Sequence, residues 1–291
     1  MKLGLVIASH GRPEILQKVL MKLMCQPRIP DEIVISAVTE ADVPEFCPGT
    51  VNLQTVFGSA GLTSQRNRGM SHLNDTTDLI VFIDDDFIVG DNYFLKLEKI
   101  FEHDHSIVAV TGEVIADGAS SPGFTFTQGV QLVERYCRQK EPATYMRETR
   151  GTYGCNMAFR VESIGSLRFD ERLPLYGWQE DLDFCGALRG RGRIVRTNLV
   201  WGVHLGTKRG KGSGLRLGYS QIINPAYIFS KGNMSFGYAF RLAARNFLAN
   251  LVKSIRPESY VDRRGRLQGN LIGLIHLITG RLTPEYILKL K

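Results

Sequence analysis

Up to about residue 206 the apolar positions of this chain fall into short continuous runs separated by amphipathic stretches, and beyond it into helical stripes. Residues 3–9, LGLVIAS, are apolar almost without break and read as a buried strand. Residues 14–24 repeat their apolar side chains every three or four positions, the period of a helix, and residues 31–36, DEIVIS, read as a second buried strand. NLQTVF offers a third strand, residues 62–74 a helix, and residues 78–86, DLIVFIDDD, the strongest strand, with five apolar residues in a row ending on three carboxylates. Strands that are apolar on both faces and alternate with helices belong to a sheet covered on both sides. The expectation is therefore an α/β protein with a Rossmann-like, mostly parallel central sheet. Such sheets bind ligands beyond the carboxyl ends of their strands, which puts Ser9 to Arg12 and Asp84 to Asp86 on one rim.

Past Gly206 the chain is first Gly-rich and basic, HLGTKRGKGSGLRLG, then helical. Residues 234–255 place Phe236, Phe240, Ala243, Phe247 and Leu251 at helical spacing, with Arg241, Arg245 and Lys253 elsewhere around the axis. Residues 269–280 are apolar almost all round. Two domains are expected: 1–206, where strands and helices alternate, and 207–291, a flexible loop with a basic helical extension. No apolar run reaches the roughly 18–20 residues that span a bilayer. The amino terminus carries one Lys before a short apolar run that breaks at a polar turn, so it reads as the first strand rather than a secretory signal. Cys25, Cys47, Cys137, Cys155 and Cys185 form no C-x-x-C pair, and the expectation is reduced, mostly buried thiols in a cytoplasmic protein.

Charge adds an asymmetry. From residue 206 onward fifteen lysines and arginines face three acidic residues, an excess of twelve. The whole chain is formally +7, so the first 205 residues stand at −5. A basic surface facing phospholipid, nucleic acid or a diphosphate group follows from this.

Three adjacent carboxylates directly after a buried strand repel one another, and a divalent cation relieves that repulsion. The order of motifs around them is informative: LVIASHGRPEIL, then GSAGLTSQRNRGM with the form G-x-x-x-x-R-N-x-G, then VFIDDDFIV, then GTYGCNMAFRVESI followed by LRFDERLPLYGWQEDLDFCGALRGRGR. In order and spacing, residues 1–206 resemble a family 2 glycosyltransferase of the GT-A fold, which implies that 1–206 is a catalytic domain with a nucleotide-binding half 1–100 and an acceptor-binding half 101–206.

The resemblance implies an inverting transfer of a sugar from a nucleoside diphosphate donor to an acceptor, a saccharide or a polyprenyl-diphosphate-linked glycan of polysaccharide assembly. Ala8, Ser9, His10, Arg12, Ser36, Arg66, Asp84 and Asp85 would contact the nucleotide sugar, with Arg66 towards the diphosphate. Asp86 would ligate Mn²⁺ or Mg²⁺, and His204 stands where relatives can carry a third ligand, its alternative being a structural His. Asp181 is the expected general base, with Glu180 as its alternative or as an acceptor-binding group. Both could instead serve only to start a helix near Asp181. Gly154, Cys155 and Asn156 match the segment that lines the sugar pocket, and Trp178 either stacks on a sugar or belongs to the core. The family's Asp-rich turn after its second strand is replaced here: Ser36 stands where the first Asp is expected, and Glu40 or Asp42 could substitute. The donor base therefore stays open among UDP, GDP and dTDP.

Lys208 and Arg209 in the Gly-rich run have the charge for a lid over the diphosphate, or form a solvated linker. The basic helices could lie on an anionic membrane from the cytoplasmic side, pack on the catalytic domain, or form a homodimer contact. Nucleic-acid binding is not expected, since no known module groups stacking aromatics with the basic tail. A phosphotransferase lacks its Gly-rich phosphate loop. A non-catalytic nucleotide-sugar-binding protein is the main alternative.

Overall fold

The computed structural model of the chain describes residues 1–45, 52–139, 143–207 and 213–290. In chain order its strands and helices are β1 (Leu3–Ala8), α1 (Pro13–Met24), β2 (Glu32–Ala37), β3 (Asn52–Phe57), α2 (Leu62–Met70), β4 (Leu79–Asp84), β5 (Phe87–Val89), α3 (Tyr93–His103), β6 (Ile107–Asp117), α4 (Phe126–Arg138), β7 (Met146–Glu148), β8 (Asn156–Arg160), α5 (Val161–Ile164), α6 (Glu180–Ala187), β9 (Arg193–His204), α7 (Gly214–Ser230), α8 (Phe236–Lys253) and α9 (Arg263–Ile278). All the expected early strands form. The α1 helix opens with Pro13 in its first turn, where a missing N–H is harmless, and buries Leu16, Val19, Leu20 and Leu23 along one stripe. At the start of α4, Thr125 and Gln128 cap each other's backbone N–H groups.

The strands make one sheet in the order β3-β2-β1-β4-β8-β6-β9-β5, with β7 pairing to β9. From β3 to β4 every pairing is parallel, as continuous apolar runs imply. From β8 onward the sheet is mixed: β8 runs antiparallel to both neighbours, β9 is parallel to β6, and β5 and β7 are antiparallel to β9. One face carries Leu5, Ile7, Ile35 and Val81 into a core shared with Leu16 and Leu20 of α1 and Phe94 and Leu97 of α3. The opposite face is covered by α2, which approaches so closely that a Cβ on Gly69 would lie 2.3 Å from a methyl of Val6. That contact explains the last glycine of the G-x-x-x-x-R-N-x-G segment.

The chain divides into two compact units. The first, Met1–Ala60, Gln65–Leu167 and Leu188–Gly210, contains the whole sheet. The second takes Gly61–Ser64, Arg168–Ala187 and Lys211–Lys291, so the FDE and ED segment groups with the carboxyl-terminal helices rather than with the sheet. Within that unit Lys231 donates to Asp170 and Asp183, both at 2.6 Å, which ties the FDE segment and α6 to the end of α7. Close packing of α7 on α9 depends on glycine: a Cβ on Gly269 would sit 2.0 Å from the Leu215 carbonyl oxygen.

The thiols differ from expectation. Cys155 and Cys185 are buried, but Cys25 and Cys137 are exposed. Cys25 follows the last residue of α1, and Cys137 lies in the last turn of α4. Cys47 lies outside the described residues. Partial burial and the nearby Asp91 carboxylate push the Cys137 thiol up to about 11, so it is not activated as a thiolate.

Gly69→Ala is expected to destabilise the protein by about 1–3 kcal/mol through overpacking against Val6. Gly237→Ala, whose Cβ would meet nothing within 4 Å, should stabilise α8 by up to about 1 kcal/mol. Thermal denaturation of both variants should show melting temperatures moving in opposite directions.

Candidate metal centre

Strand register builds this site within the first unit. Ala8 lies beside Ser36 on one side and beside Asp84 on the other, at the carboxyl ends of β1, β2 and β4. Farther along the sheet, His204 at the end of β9 is paired with Phe87 of β5 and with Asp117 of β6. The chain leaves β4 at Asp84 and re-enters the sheet at Phe87, so Asp85 and Asp86 turn between these two places. As a result Asp84, Asp86 and His204 each present a ligand atom, and the three atoms lie within 4.8 Å of one another. His204 Nε2 is 3.4 Å from Asp86 Oδ1 and 3.8 Å from Asp84 Oδ2.

The two oxygens of Asp86 are treated differently. Its Oδ2 accepts from Arg12 Nη1 at 3.0 Å and from the Thr207 backbone N–H at 2.7 Å. Its Oδ1 is buried and accepts no hydrogen bond. An orphaned carboxylate oxygen aimed at an imidazole nitrogen and a second carboxylate is what a divalent cation would satisfy. The oxygen, oxygen, nitrogen donor set fits such an ion.

His204 is fixed from behind. Its Nδ1 bonds Asp117 Oδ1 at 2.9 Å, and Asp117 in turn accepts from the Ala119 N–H at 2.9 Å and from the Tyr153 hydroxyl at 2.8 Å. A carboxylate behind a metal-facing His sets its tautomer and ring direction. Burial alone would favour the neutral imidazole, but the bond to Asp117 and the charges of Asp86 and Asp84 outweigh it and push His204 up to about 10. Burial likewise works to raise Asp117, yet its hydrogen bonds from His204, Ala119 and Tyr153 bring it down to about 2.

The middle carboxylate faces inward. Asp85 is fully buried, accepts from Ser9 Oγ at 3.0 Å and from Arg12 Nε at 3.2 Å, and is pushed up to about 7 by burial against Asp84 and Asp86. It holds the turn after β1. Arg66 is also buried: its Nη2 donates to the Gly154 carbonyl at 2.7 Å and to Asp84 at 3.4 Å, so in this structure it orients Asp84. Ser36 is buried with its hydroxyl unpartnered. Asp42 organises the neighbouring turn, accepting from Gly11 N at 2.6 Å and Thr39 N at 2.8 Å, with His10 at 3.4 Å and more exposed. Those bonds overcome burial and hold Asp42 below the usual carboxylate range. The Asn156 side chain accepts from Gly112 N at 2.6 Å, bridging β8 to β6, while the Cys155 carbonyl accepts from the Asp84 N–H.

Sequence reasoning overlooked Asp117 and Tyr153. It also overlooked Gln65, which donates to the carbonyls of Ser9 and Ser36 at 2.9 and 2.8 Å and thereby fastens the ends of β1 and β2. Asp117 ends a strand-like run, which is a faint signal; nothing in the sequence pairs it with His204. Lys208 and Arg209 lie outside the described residues.

The second unit carries the other expected residues. Glu180 and Asp181 open α6, as the helix-start reading requires. Glu180 is buried and accepts from the Asp181 N–H at 2.6 Å, while the partly exposed Asp181 accepts from Leu182 N at 2.8 Å. The approach to α6 is strained: Leu175 and Gln179 have φ of +59° and +74°, with Gly177 between them at +60°. Trp178 is partly buried and its carbonyl accepts from Asn224 at 2.8 Å.

A family model described as "Glycosyltransferase like family 2" matches residues 2–196. The glucosyl-dolichyl phosphate glucuronosyltransferase of Haloferax volcanii is 28% identical over 173 residues, which cover 55% of this chain and 53% of that protein, so the match spans about half of its length. Among solved structures, S. aureus TarS 1-349 in complex with UDP-GlcNAc is 14% identical with a TM-score of 0.55, covering 99% of this chain and 90% of that one. The mannosyltransferase PcManGT from Pyrobaculum calidifontis, in complex with GDP-Man and Mn2+, is 14% identical with a TM-score of 0.50, covering 99% and 85%. At these identities the solved structures establish the fold, a central sheet flanked by helices as in GT-A proteins.

Should the site take a divalent ion, Asp117→Asn is expected to leave the protein folded and to weaken that ion's binding by about 10- to 100-fold, the usual effect of losing a carboxylate behind a metal-facing His. Calorimetric Mn²⁺ titration alongside a thermal melt checks this.

Proposed function

Since this chain belongs to the family 2-like glycosyltransferases, we propose that it transfers a sugar from a nucleoside diphosphate donor to an acceptor hydroxyl with inversion at the anomeric carbon. The observation that carries this reading is the convergence of Asp84, Asp86 and His204, whose ligand atoms lie within 4.8 Å of one another at the carboxyl edge of the sheet. Asp86 and His204 would hold a divalent ion, and the nitrogen ligand favours Mn²⁺ over Mg²⁺. When bound, that ion supplies Lewis-acid stabilisation of the diphosphate leaving group. Asp84, oriented by Arg66, contacts the ribose or sugar of the donor. Ala8 and Ser9 lie at the end of β1, where the nucleotide would rest.

The base role goes to Asp181, which takes the proton of the acceptor hydroxyl as its oxygen attacks C1. The burial of Glu180 and the engagement of its carboxylate with the Asp181 N–H favour Asp181 over its neighbour. Gly154 and Cys155 line the sugar pocket through their backbone, and Asn156 shapes it by holding Gly112. Trp178, behind a strained turn, offers a stacking face. The acceptor is a saccharide or a lipid-linked saccharide.

Calorimetric titration with UDP, GDP and dTDP, each with and without Mn²⁺, tests the donor half. One nucleotide should bind in a metal-dependent manner, and Asp86→Ala should lose that dependence; binding of none would sink the proposal. Asp181→Asn should keep donor binding while lowering kcat by about 10²- to 10⁴-fold. Unchanged turnover would move the base elsewhere, and absence of any turnover in the parent would favour a non-catalytic nucleotide-sugar-binding protein.

A further inference from the structure

The α8 helix buries Ala239 and Leu242 but leaves its largest apolar side chains exposed. Its buried positions include Asn250, 1% exposed, which donates to Gln221 of α7 and Asn270 of α9 at 2.8 and 2.9 Å. Its outward positions are Phe236, Phe240, Leu248 and Leu251, with Phe236 and Phe240 exposed by 65% and 62%. A helix of an ordinary soluble domain does the reverse, burying its phenylalanines and exposing its asparagines. On α9 the same inversion recurs: Gly269, Asn270 and Gly273 face α7, while Leu271, Ile275 and Ile278 point outward, Ile278 by 84%.

Both helices pack on α7, α8 through Asn246 and Asn250 with Gln221, and α9 through Gly269 and Gly273. At about 100° per residue, Leu248 lies opposite the asparagines of α8, Phe240 and Leu251 lie on its flank about 80° and 100° from Asn250, and Phe236 is only about 40° from Asn250. Leu271, Ile275 and Ile278 lie opposite the glycines of α9. The α9 stripe therefore points away from α7, and the exposed α8 stripe runs from the flank of its α7 contact, at Phe236, round to its outer side at Leu248. Phe229 at the end of α7 extends the first stripe, its ring 5.6 Å from that of Phe236, and the Phe236 and Phe240 rings stack at 6.2 Å. Arg241 and Arg245 border this stripe, both exposed, and neither has an ion-pair partner among the described residues.

We propose that the outward faces of α8 and α9 dock on an anionic lipid bilayer, lying in the interface with their apolar side chains among the acyl chains and Arg241 and Arg245 at the headgroups. Two observations select lipid over a protein partner. The apolar stripe is continuous along each helix and bordered by cations, the arrangement of an interfacial helix. The segment from residue 206 carries fifteen basic against three acidic residues, which complements an anionic surface and opposes pairing of two copies face to face. No described helix is long and apolar enough to cross a membrane, so the contact is to one leaflet. This inference does not rest on the transfer reading.

The test is cosedimentation of the full chain with vesicles of phosphatidylcholine containing phosphatidylglycerol, and with phosphatidylcholine alone. The parent should pellet with the anionic vesicles and far less with the neutral ones. Phe236→Ser/Phe240→Ser/Leu251→Ser, and separately Arg241→Glu/Arg245→Glu, should each reduce binding by about tenfold or more, each basic contact contributing roughly fivefold. Both variants should keep the parent's circular dichroism and its monomeric sedimentation velocity. Phe240→Trp gives a readout that needs no loss of binding: its emission should shift to the blue on anionic vesicles and be quenched by brominated lipid. The proposal is overturned if the parent stays in the supernatant, if the serine variant pellets as well as the parent, if the Trp emission is unchanged by vesicles, or if the parent is a dimer that the serine variant splits. The last result would assign the face to a second copy. Nucleotide titration of the same variants should match the parent, which separates failure here from failure of the donor-site reading.

Discussion

Three consecutive carboxylates at the end of an apolar strand cannot be buried together unless each meets a positive charge or a donor, and the edge of the first unit is arranged around that demand. Asp85 takes Ser9 and Arg12, Asp86 takes Arg12 and the Thr207 N–H, and Asp84 takes Arg66. Arg12 is itself held at the start of α1, behind a Gly11 whose φ of +70° lets the chain turn back over the triplet. One oxygen of Asp86 is left over, and it faces His204. The same repulsion that makes the turn hard to fold makes it a candidate cation site.

The second unit solves a different problem. Its three long helices meet through a layer of amides, Gln221, Asn250 and Asn270, where each side chain has little freedom to pair otherwise. A buried polar layer of this kind fixes register because any slip leaves an amide unsatisfied. With amides and glycines occupying the interior, the large apolar residues of α8 and α9 are left to the outside. The inverted helices are thus one design, inside and out.

How far the sequence could be read follows from the range of the forces involved. Periodicity is local, so β1, α1, β2, β3 and β4 were legible within a residue or two. The acidic triplet was legible as a candidate cation site because its repulsion is between neighbours in the chain. Arg66 and Asp85 show the limit: the resemblance set both beside the nucleotide sugar, yet only packing shows Arg66 bonded to Gly154 and Asp85 turned inward. Asp117 was not legible, because its role comes from pairing with a residue 87 positions away.

The sequence by itself determined the fold class, the strand ends that carry polar residues, and the charge excess of the last third, since each depends on residue type and on spacing along the chain. Tertiary structure decided which polar groups meet. The mixed pairing of β9 with β5 and β6 sets His204 between Asp86 and Asp117. It decided too that the apolar stripes of α8 and α9 face outward, a choice that helical periodicity cannot make, because a stripe has the same period whichever side the neighbouring helix takes.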